Sequence, residues 1–214
     1  NSGNVAASGN YAGGLFGYLE FEGVGNGQNS NYRNGKQALN MEEAENSGNV
    51  SGVYYVGGLI GYGMTDSEET LILEGKSCAE IEATAYVGGL MGYASNFILN
   101  APKNANSTVV AKGTYADGDK KYAYYGGYVG YGTGMKVNDA ANAVEIDYKT
   151  SLCKGNYVGG MFGYISGVLT NCTNTAAVNA PNSAYVGGIA GIEAQTGEYT
   201  MSGLSNTGAI VGSS

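Results

Sequence analysis

The sequence predicts an all-β fold, a parallel β-helix of about six to seven turns with three short strands in each. Three observations carry that expectation. A Tyr-x-Gly-Gly-x-x-Gly-Tyr unit recurs six times, a polar-start apolar segment precedes several copies, and a third apolar segment lies further upstream. One supersecondary unit about every thirty residues, with insertions tolerated between units, is the mark of a stacked array.

The units read YAGGLFGY from Tyr11, YVGGLIGY from Tyr55, YVGGLMGY from Tyr86, YYGGYVGY from Tyr124, YVGGMFGY from Tyr157 and YVGGIAGI from Tyr185. Their starts are 44, 31, 38, 33 and 28 residues apart. Ahead of them stand NSGNV at Asn1 and Asn46, SCAEI at Ser77 and NTAAV at Asn174, while NTGAI at Asn206 opens a seventh unit without its Gly-Gly core. The third segment is Leu71-Ile72-Leu73, Phe97-Ile98-Leu99 or Val168-Leu169. Alternation such as Val144-Glu145-Ile146-Asp147-Tyr148 fits strands with one buried face. A helical reading fails because several glycines per eight residues cost about 1 kcal/mol each, with no capping pattern to offset them.

Composition agrees. The 38 glycines and 22 asparagines suit tight turns, since both residues tolerate positive φ. With 43% hydrophobic and only 13% charged residues there is apolar surface to bury, which argues against a disordered chain. Collagen is excluded by the irregular glycine spacing and the two prolines. A net charge of −8 speaks against a nucleic-acid partner and against electrostatic attachment to anionic membranes. No apolar run is long enough for a membrane helix. The chain opens in mid-repeat at Asn1, so residues 1–214 are expected to be a single repetitive segment of a longer protein, with insert loops at about 19–45 and 101–107.

The repeated residues have structural work to do. Equivalent positions of successive turns stack at about 4.8 Å, so identical residues form ladders in which aromatic rings can stack. The glycines permit a bend and leave room where a neighbouring side chain crosses. These roles are favoured over an exposed tyrosine stripe (Tyr18, Tyr62, Tyr93, Tyr131, Tyr164) that recognises sugars or a partner. Ile192, where the last copy lacks its tyrosine, leans the same way.

The pattern N-x-G-x-V followed by Y-V-G-G-L-x-G-Y resembles the GLUG repeat of bacterial surface and secreted proteins. That repeat occurs in large adhesins and in the non-catalytic part of some immunoglobulin-A-cleaving metallopeptidases. The resemblance covers nearly the whole chain. Tyr128 departs from it where leucine is usual, and Ile192 where the closing tyrosine stands. It implies a right-handed parallel β-helix on an exported, cell-surface protein, and no defined ligand.

Catalytic chemistry is sparse. No histidine is present, which removes His-based zinc sites and His-activated nucleophiles. Phosphate-binding loops are absent too. Three cysteines, Cys78, Cys153 and Cys172, read first as free buried thiols and second as one Cys153–Cys172 disulfide with a third left over. Asp117 and Asp119 in DGDKK read as a turn, with a calcium site and catalysis as the lesser readings. Asp66 with Glu68 and Glu69, the cluster Glu42, Glu43 and Glu45, and the single Arg33 complete the chemistry-bearing residues. No catalytic residue, metal ligand or cofactor is expected, and no ligand-binding residue can be named.

The function expected is therefore a non-enzymatic structural or adhesive module, a rigid stalk and binding scaffold for a glycan or a host or cell-surface protein. The first alternative is a self-assembling extracellular fibre subunit, associating through the solenoid ends. The second is a polysaccharide-binding or polysaccharide-cleaving β-helix.

Overall fold

The computed structural model is a parallel β-helix. It describes residues 1–21, 39–41, 44–73, 76–77, 80–100, 102–104, 108–111, 122–147, 156–194 and 200–213, among which there is no helix. Every strand pair given is parallel and joins one turn to the next.

Three main sheets run the length of the stack. The first has seven strands: Val5–Ala6, Val50–Ser51, Glu80–Ala83, Thr108–Ala111, Glu145–Asp147, Val178–Asn179 and Ile210–Val211. The second has six, all from the start of the repeated unit: Tyr11–Gly13, Tyr55–Gly57, Tyr86–Gly88, Tyr124–Gly126, Tyr157–Gly159 and Tyr185–Gly187. The third is built on Phe16–Phe21, Ile60–Leu73, Met91–Asn100, Val129–Asn138, Phe162–Thr170 and Ala190–Glu193, with Leu39–Met41 and Met201–Ser202 pairing on its far arm. The seven strands of the first sheet and six of the second match the expected number of turns.

The segments divide differently from the way the motif suggests. Leu71-Ile72-Leu73, Phe97-Ile98-Leu99 and Val168-Leu169 are not separate strands. Each is the far arm of a long strand that begins inside the glycine unit. A kink separates the two arms, and Asn96 and Gly134, at matching positions, both take it at φ 61°. The polar-start motif does the reverse and splits in two. Its asparagine lies on a short corner ladder formed by Lys103–Asn104, Ala141–Asn142, Thr173–Asn174 and Ser205–Asn206, with Glu45–Asn46 pairing Lys76–Ser77. Only its valine reaches the first sheet. Between the third sheet and the corner the chain turns through a left-handed residue, Asp139, Asn171 or Gly203 in successive turns (φ 53°, 53° and 63°). Asn, Asp and Gly are the residues that occupy this region at least cost.

Of the expected insert 19–45, Leu19 continues the strand Phe16–Phe21, Leu39–Met41 pairs with Leu71–Leu73, and Glu45–Asn46 joins the corner. Residues 22–38 and Glu42 and Glu43 lie outside the described residues. Within 101–107, Lys103–Asn104 pairs with Ala141–Asn142.

The interior is filled by ladders of like residues. Val50, Ile81, Val109, Ile146 and Val178 stack along the first sheet and face Val56, Val87, Tyr125 and Val158 of the second. A second cluster joins Leu59, Leu90, Tyr128 and Met161 to the inward residues of the third sheet, Leu99, Val137 and Leu169 among them. Full burial of one such aliphatic side chain contributes about 1.5–3 kcal/mol. In the turn of Tyr124, two tyrosines replace core aliphatics. Their hydroxyls find acceptors, as buried phenols require. Tyr125 donates to the Thr84 carbonyl at 3.0 Å. The Tyr128 hydroxyl lies 2.7 Å from the Pro102 and 2.6 Å from the Ala141 carbonyl oxygen.

Candidate functional surface

The repeated tyrosines lie on the outside. In the second-sheet strands from Tyr11 to Tyr157 the tyrosine is exposed or half-buried while the next residue is buried in the core. The chain then turns through the glycines and brings a second tyrosine back to the surface at the head of the third sheet. Two parallel columns result: Tyr11, Tyr55, Tyr86, Tyr124, Tyr157 and Tyr185 beside Tyr18, Tyr62, Tyr93, Tyr131 and Tyr164.

Within a column the rings are nearly parallel. In the first column, neighbouring centroids are 5.4, 4.7, 5.3, 5.1 and 4.7 Å apart. In the second they are 5.2, 4.5, 5.5 and 4.1 Å apart, with interplanar angles of 4° or less. Between columns the rings meet edge to face, for example Tyr55 on Tyr62 at 5.2 Å and 84°, and Tyr124 on Tyr131 at 5.1 Å and 85°. Offset stacking and edge contacts are the two arrangements that the ring quadrupole favours. The surface is thus a herringbone whose ring faces are covered by neighbouring rings. Tyr18 donates to Glu20 Oε2 at 2.8 Å.

Partial burial among other rings pushes the phenols of Tyr55, Tyr62 and Tyr124 up to about 12, and moves Tyr131 in the same direction. These four phenols are neutral at any physiological pH. Ile192 continues the second column in register with Tyr164, so the column ends in an aliphatic side chain without a break in strand pairing. The sequence expectation leaned towards packing. The structure packs the tyrosines on one another and sets them on the outer face.

Behind the stripe lies a second ladder that motif reading missed. Asn142 donates to Asn174 Oδ1, and Asn174 donates to Asn206 Oδ1, each at 2.8 Å. Asn1 donates to Asn46 Oδ1 at 3.0 Å. Each amide also caps its own corner, as where Asn174 donates to the Ala176 carbonyl at 2.9 Å. Asn46, Asn142 and Asn174 are buried. A Cβ on Gly160 would collide with the Gly188 carbonyl oxygen and would lie 2.5 Å from Asn174 Cγ, so the second glycine of the unit makes room for the buried amide. The first glycine answers to its own turn first and then to the neighbouring one: a Cβ on Gly88 would collide with the Met91 carbonyl oxygen and would lie 2.6 Å from the Tyr128 carbonyl oxygen. The signal was present in the recurring Asn four residues before an inward Val or Ile, at Asn46, Asn142, Asn174 and Asn206.

The other residues singled out above do not converge. Asp117, Asp119, Arg33, Glu42, Glu43, Cys78 and Cys153 lie outside the described residues. Asp66, Glu68 and Glu69 sit on the strand Ile60–Leu73, and Glu45 is exposed at the corner. Cys172 is a free, buried thiol, 3.5 Å from the Thr170 carbonyl oxygen, and burial raises it to about 11. A thiol so placed is a packing residue rather than a nucleophile. On the outer side of the first sheet is an open recess of about 300 Å³, lined by Asn4, Ala6, Asn49, Ser51, Glu80 and Glu82 among others. Its two carboxylates share one face of a strand. Among the described residues no group of three His, Cys, Asp or Glu side chains could hold a metal ion. No helix among them is long and apolar enough to cross a membrane.

No family model, curated protein or solved structure matches the chain.

Proposed function

We propose that the chain is a non-enzymatic structural segment of an exported bacterial surface protein, a stiff stacked spacer that presents its tyrosine face to a glycan or a host-cell surface protein. The observation that carries this reading is the double tyrosine ladder, a continuous aromatic face backed by the buried side-chain ladders. The interior is taken up by side-chain ladders, and the outer face is repeated turn after turn. The resemblance to the GLUG repeat supports export and surface display. Because the ring faces are covered, recognition works through hydroxyls and ring edges, that is, by hydrogen bonds to a sugar or to peptide groups.

Beads coated with the protein test this against a panel of polysaccharides and host-cell surface proteins, with reducing ends measured in the same wells. The expected result is saturable attachment to a member of the panel, weakened by Tyr62→Ala with Tyr93→Ala, and no release of product. Release of reducing ends that scales with protein overturns the non-enzymatic reading. Absence of attachment across the panel overturns the adhesive one.

A further inference from the structure

The tyrosine columns have a chemistry that neither packing nor adhesion uses. We propose that the second column, Tyr18, Tyr62, Tyr93, Tyr131 and Tyr164, is a site of oxidative modification, at which peroxide acting through a haem peroxidase joins tyrosines of successive turns as dityrosine. The proposal does not depend on the reading of the previous subsection.

Three features of the column favour the reaction. The rings of Tyr131 and Tyr164 are 4.1 Å apart at 4°, and those of Tyr62 and Tyr93 are 4.5 Å apart at 3°. Orbitals of parallel rings at such distances overlap, so an electron vacancy on one ring is shared readily with the next. Strand pairing sets Tyr62 directly opposite Tyr93 and Tyr131 directly opposite Tyr164, so the two rings of each pair are held against one another. Finally, Tyr18 is 47% exposed and its hydroxyl donates to the Glu20 carboxylate at 2.8 Å, which gives an oxidant a ring it can reach and the departing proton an acceptor. Tyr18 stacks on Tyr62 at 5.2 Å and 0°, so the entry ring belongs to the same column.

The chemistry balances with peroxide as the electron acceptor. Each of two phenols loses its hydroxyl proton and one electron, giving two phenoxyl radicals. The two rings then form a carbon–carbon bond between the positions ortho to oxygen. The hydrogen on each joined carbon moves to its oxygen and restores the aromatic rings. The two protons and two electrons reduce one hydrogen peroxide to two waters. The product is a covalent staple between neighbouring turns, formed where strand pairing already holds the two residues in register.

The test treats the whole chain, at low concentration, with a haem peroxidase and limiting hydrogen peroxide, followed by proteolysis and mass spectrometry. The expected products are cross-linked peptides joining Tyr131 to Tyr164 and Tyr62 to Tyr93, each two hydrogens lighter than its parts, in protein that remains monomeric. Tyr131→Phe keeps the ring stack and is expected to abolish the first cross-link while leaving the second. Tyr18→Phe or Glu20→Gln is expected to lower the yield of both severalfold. The proposal is overturned if no dityrosine forms where free tyrosine couples, if coupling occurs only between chains, or if it centres on Tyr54 and Tyr122, outside the columns. An unchanged yield in both entry variants overturns Tyr18 as the point of entry.

Discussion

Replacing Asn174 by alanine tests whether the inner amide ladder holds the turns together. Asn174 is fully buried. It donates to the Ala176 carbonyl at 2.9 Å and to Asn206 Oδ1 at 2.8 Å, and accepts from Asn142 Nδ2 at 2.8 Å. Three hydrogen bonds at about 1 kcal/mol net each amount to roughly 3 kcal/mol. The Asn142 amide keeps its bonds to the Val144 and Gly160 carbonyls, so only part of its polarity is stranded. The Ala176 carbonyl loses a partner, which adds on the order of 1 kcal/mol. Asn174→Ala is therefore expected to cost about 4 kcal/mol, or roughly 10 °C in melting temperature for a chain of this size. Urea and thermal unfolding followed by circular dichroism read both quantities. Asn206→Ala is the comparison, because Asn206 is exposed: it removes one ladder bond, from Asn174 at 2.8 Å, and a bond to the Gly208 carbonyl, which can turn to water, while Asn174 keeps its bond to the Ala176 carbonyl. It is expected to cost about 1–2 kcal/mol. Equal costs at the two positions, or a loss at Asn174 within about 1 kcal/mol of zero, would refute the claim that the ladder is structural.

Two further outcomes follow from the same geometry. Gly160→Ala drives a Cβ against the Gly188 carbonyl oxygen and the Asn174 amide, and is expected to cost about 3 kcal/mol or more. Combined with Asn174→Ala its penalty should shrink by at least about 1 kcal/mol without vanishing, since the Gly188 backbone remains; additive costs in a double-mutant cycle would break the link between glycine and amide. The tyrosine columns predict alkaline weakening. Burial holds the phenols of Tyr55, Tyr62 and Tyr124 at about 12, above their ordinary value of 10.0, so the folded chain keeps protons that the unfolded chain gives up. Their contribution is whole below about pH 10 and is lost as pH rises towards about 12. A shift of about two units corresponds to ~2.7 kcal/mol for a shielded group, but these rings are partly exposed and screening reduces each to about 1 kcal/mol. Urea midpoints measured at about pH 9 and about pH 11.5 should fall accordingly, and a flat profile would contradict the burial assigned to the rings.

The repeat was legible because stacking forces it into the sequence. Each of the six Tyr-x-Gly-Gly copies lies in the same register on the second sheet, and each inward Val or Ile of the polar-start motif lies in register on the first. Strand division was less legible. Ser95-Asn96 interrupts the apolar run of Met91–Asn100 at the kink, and Thr133-Gly134 does the same in Val129–Asn138, so one bent strand reads as two. Asn46, Asn142 and Asn174 were harder still, because a polar residue at the head of a motif reads as a turn. Only the three-dimensional corner shows that the amide faces inward and is satisfied by a copy in a neighbouring turn and by the backbone of its own corner. The outer position of the tyrosines was undecidable from pattern, since a stacked ring and a buried ring leave the same periodic trace.

A single constraint explains which residues this chain repeats and which it avoids. In a parallel stack every side chain has the equivalent side chain of the next turn about 4.8 Å away, so a residue is useful in proportion to how well it meets itself. Tyrosine does so by offset stacking, asparagine because its amide both donates and accepts, and valine or leucine by simple packing. Charged residues do so badly, since like charges directly opposite one another repel. The outer face of the first sheet respects that limit. Glu80 and Glu145 are separated by Thr108, and Glu82 and Asp147 by Val110. Beyond Asp147 comes Asn179, whose amide donates to the Asp147 carboxylate at 3.4 Å. Each acid on these rows thus has neutral neighbours along the stack. The low charged fraction of 13% and the abundance of Tyr and Asn are then consequences of self-stacking, and a face that binds a partner must be made from the residues that stacking permits. Tyrosine is one of the residues that this rule allows on the outside, where it forms two columns.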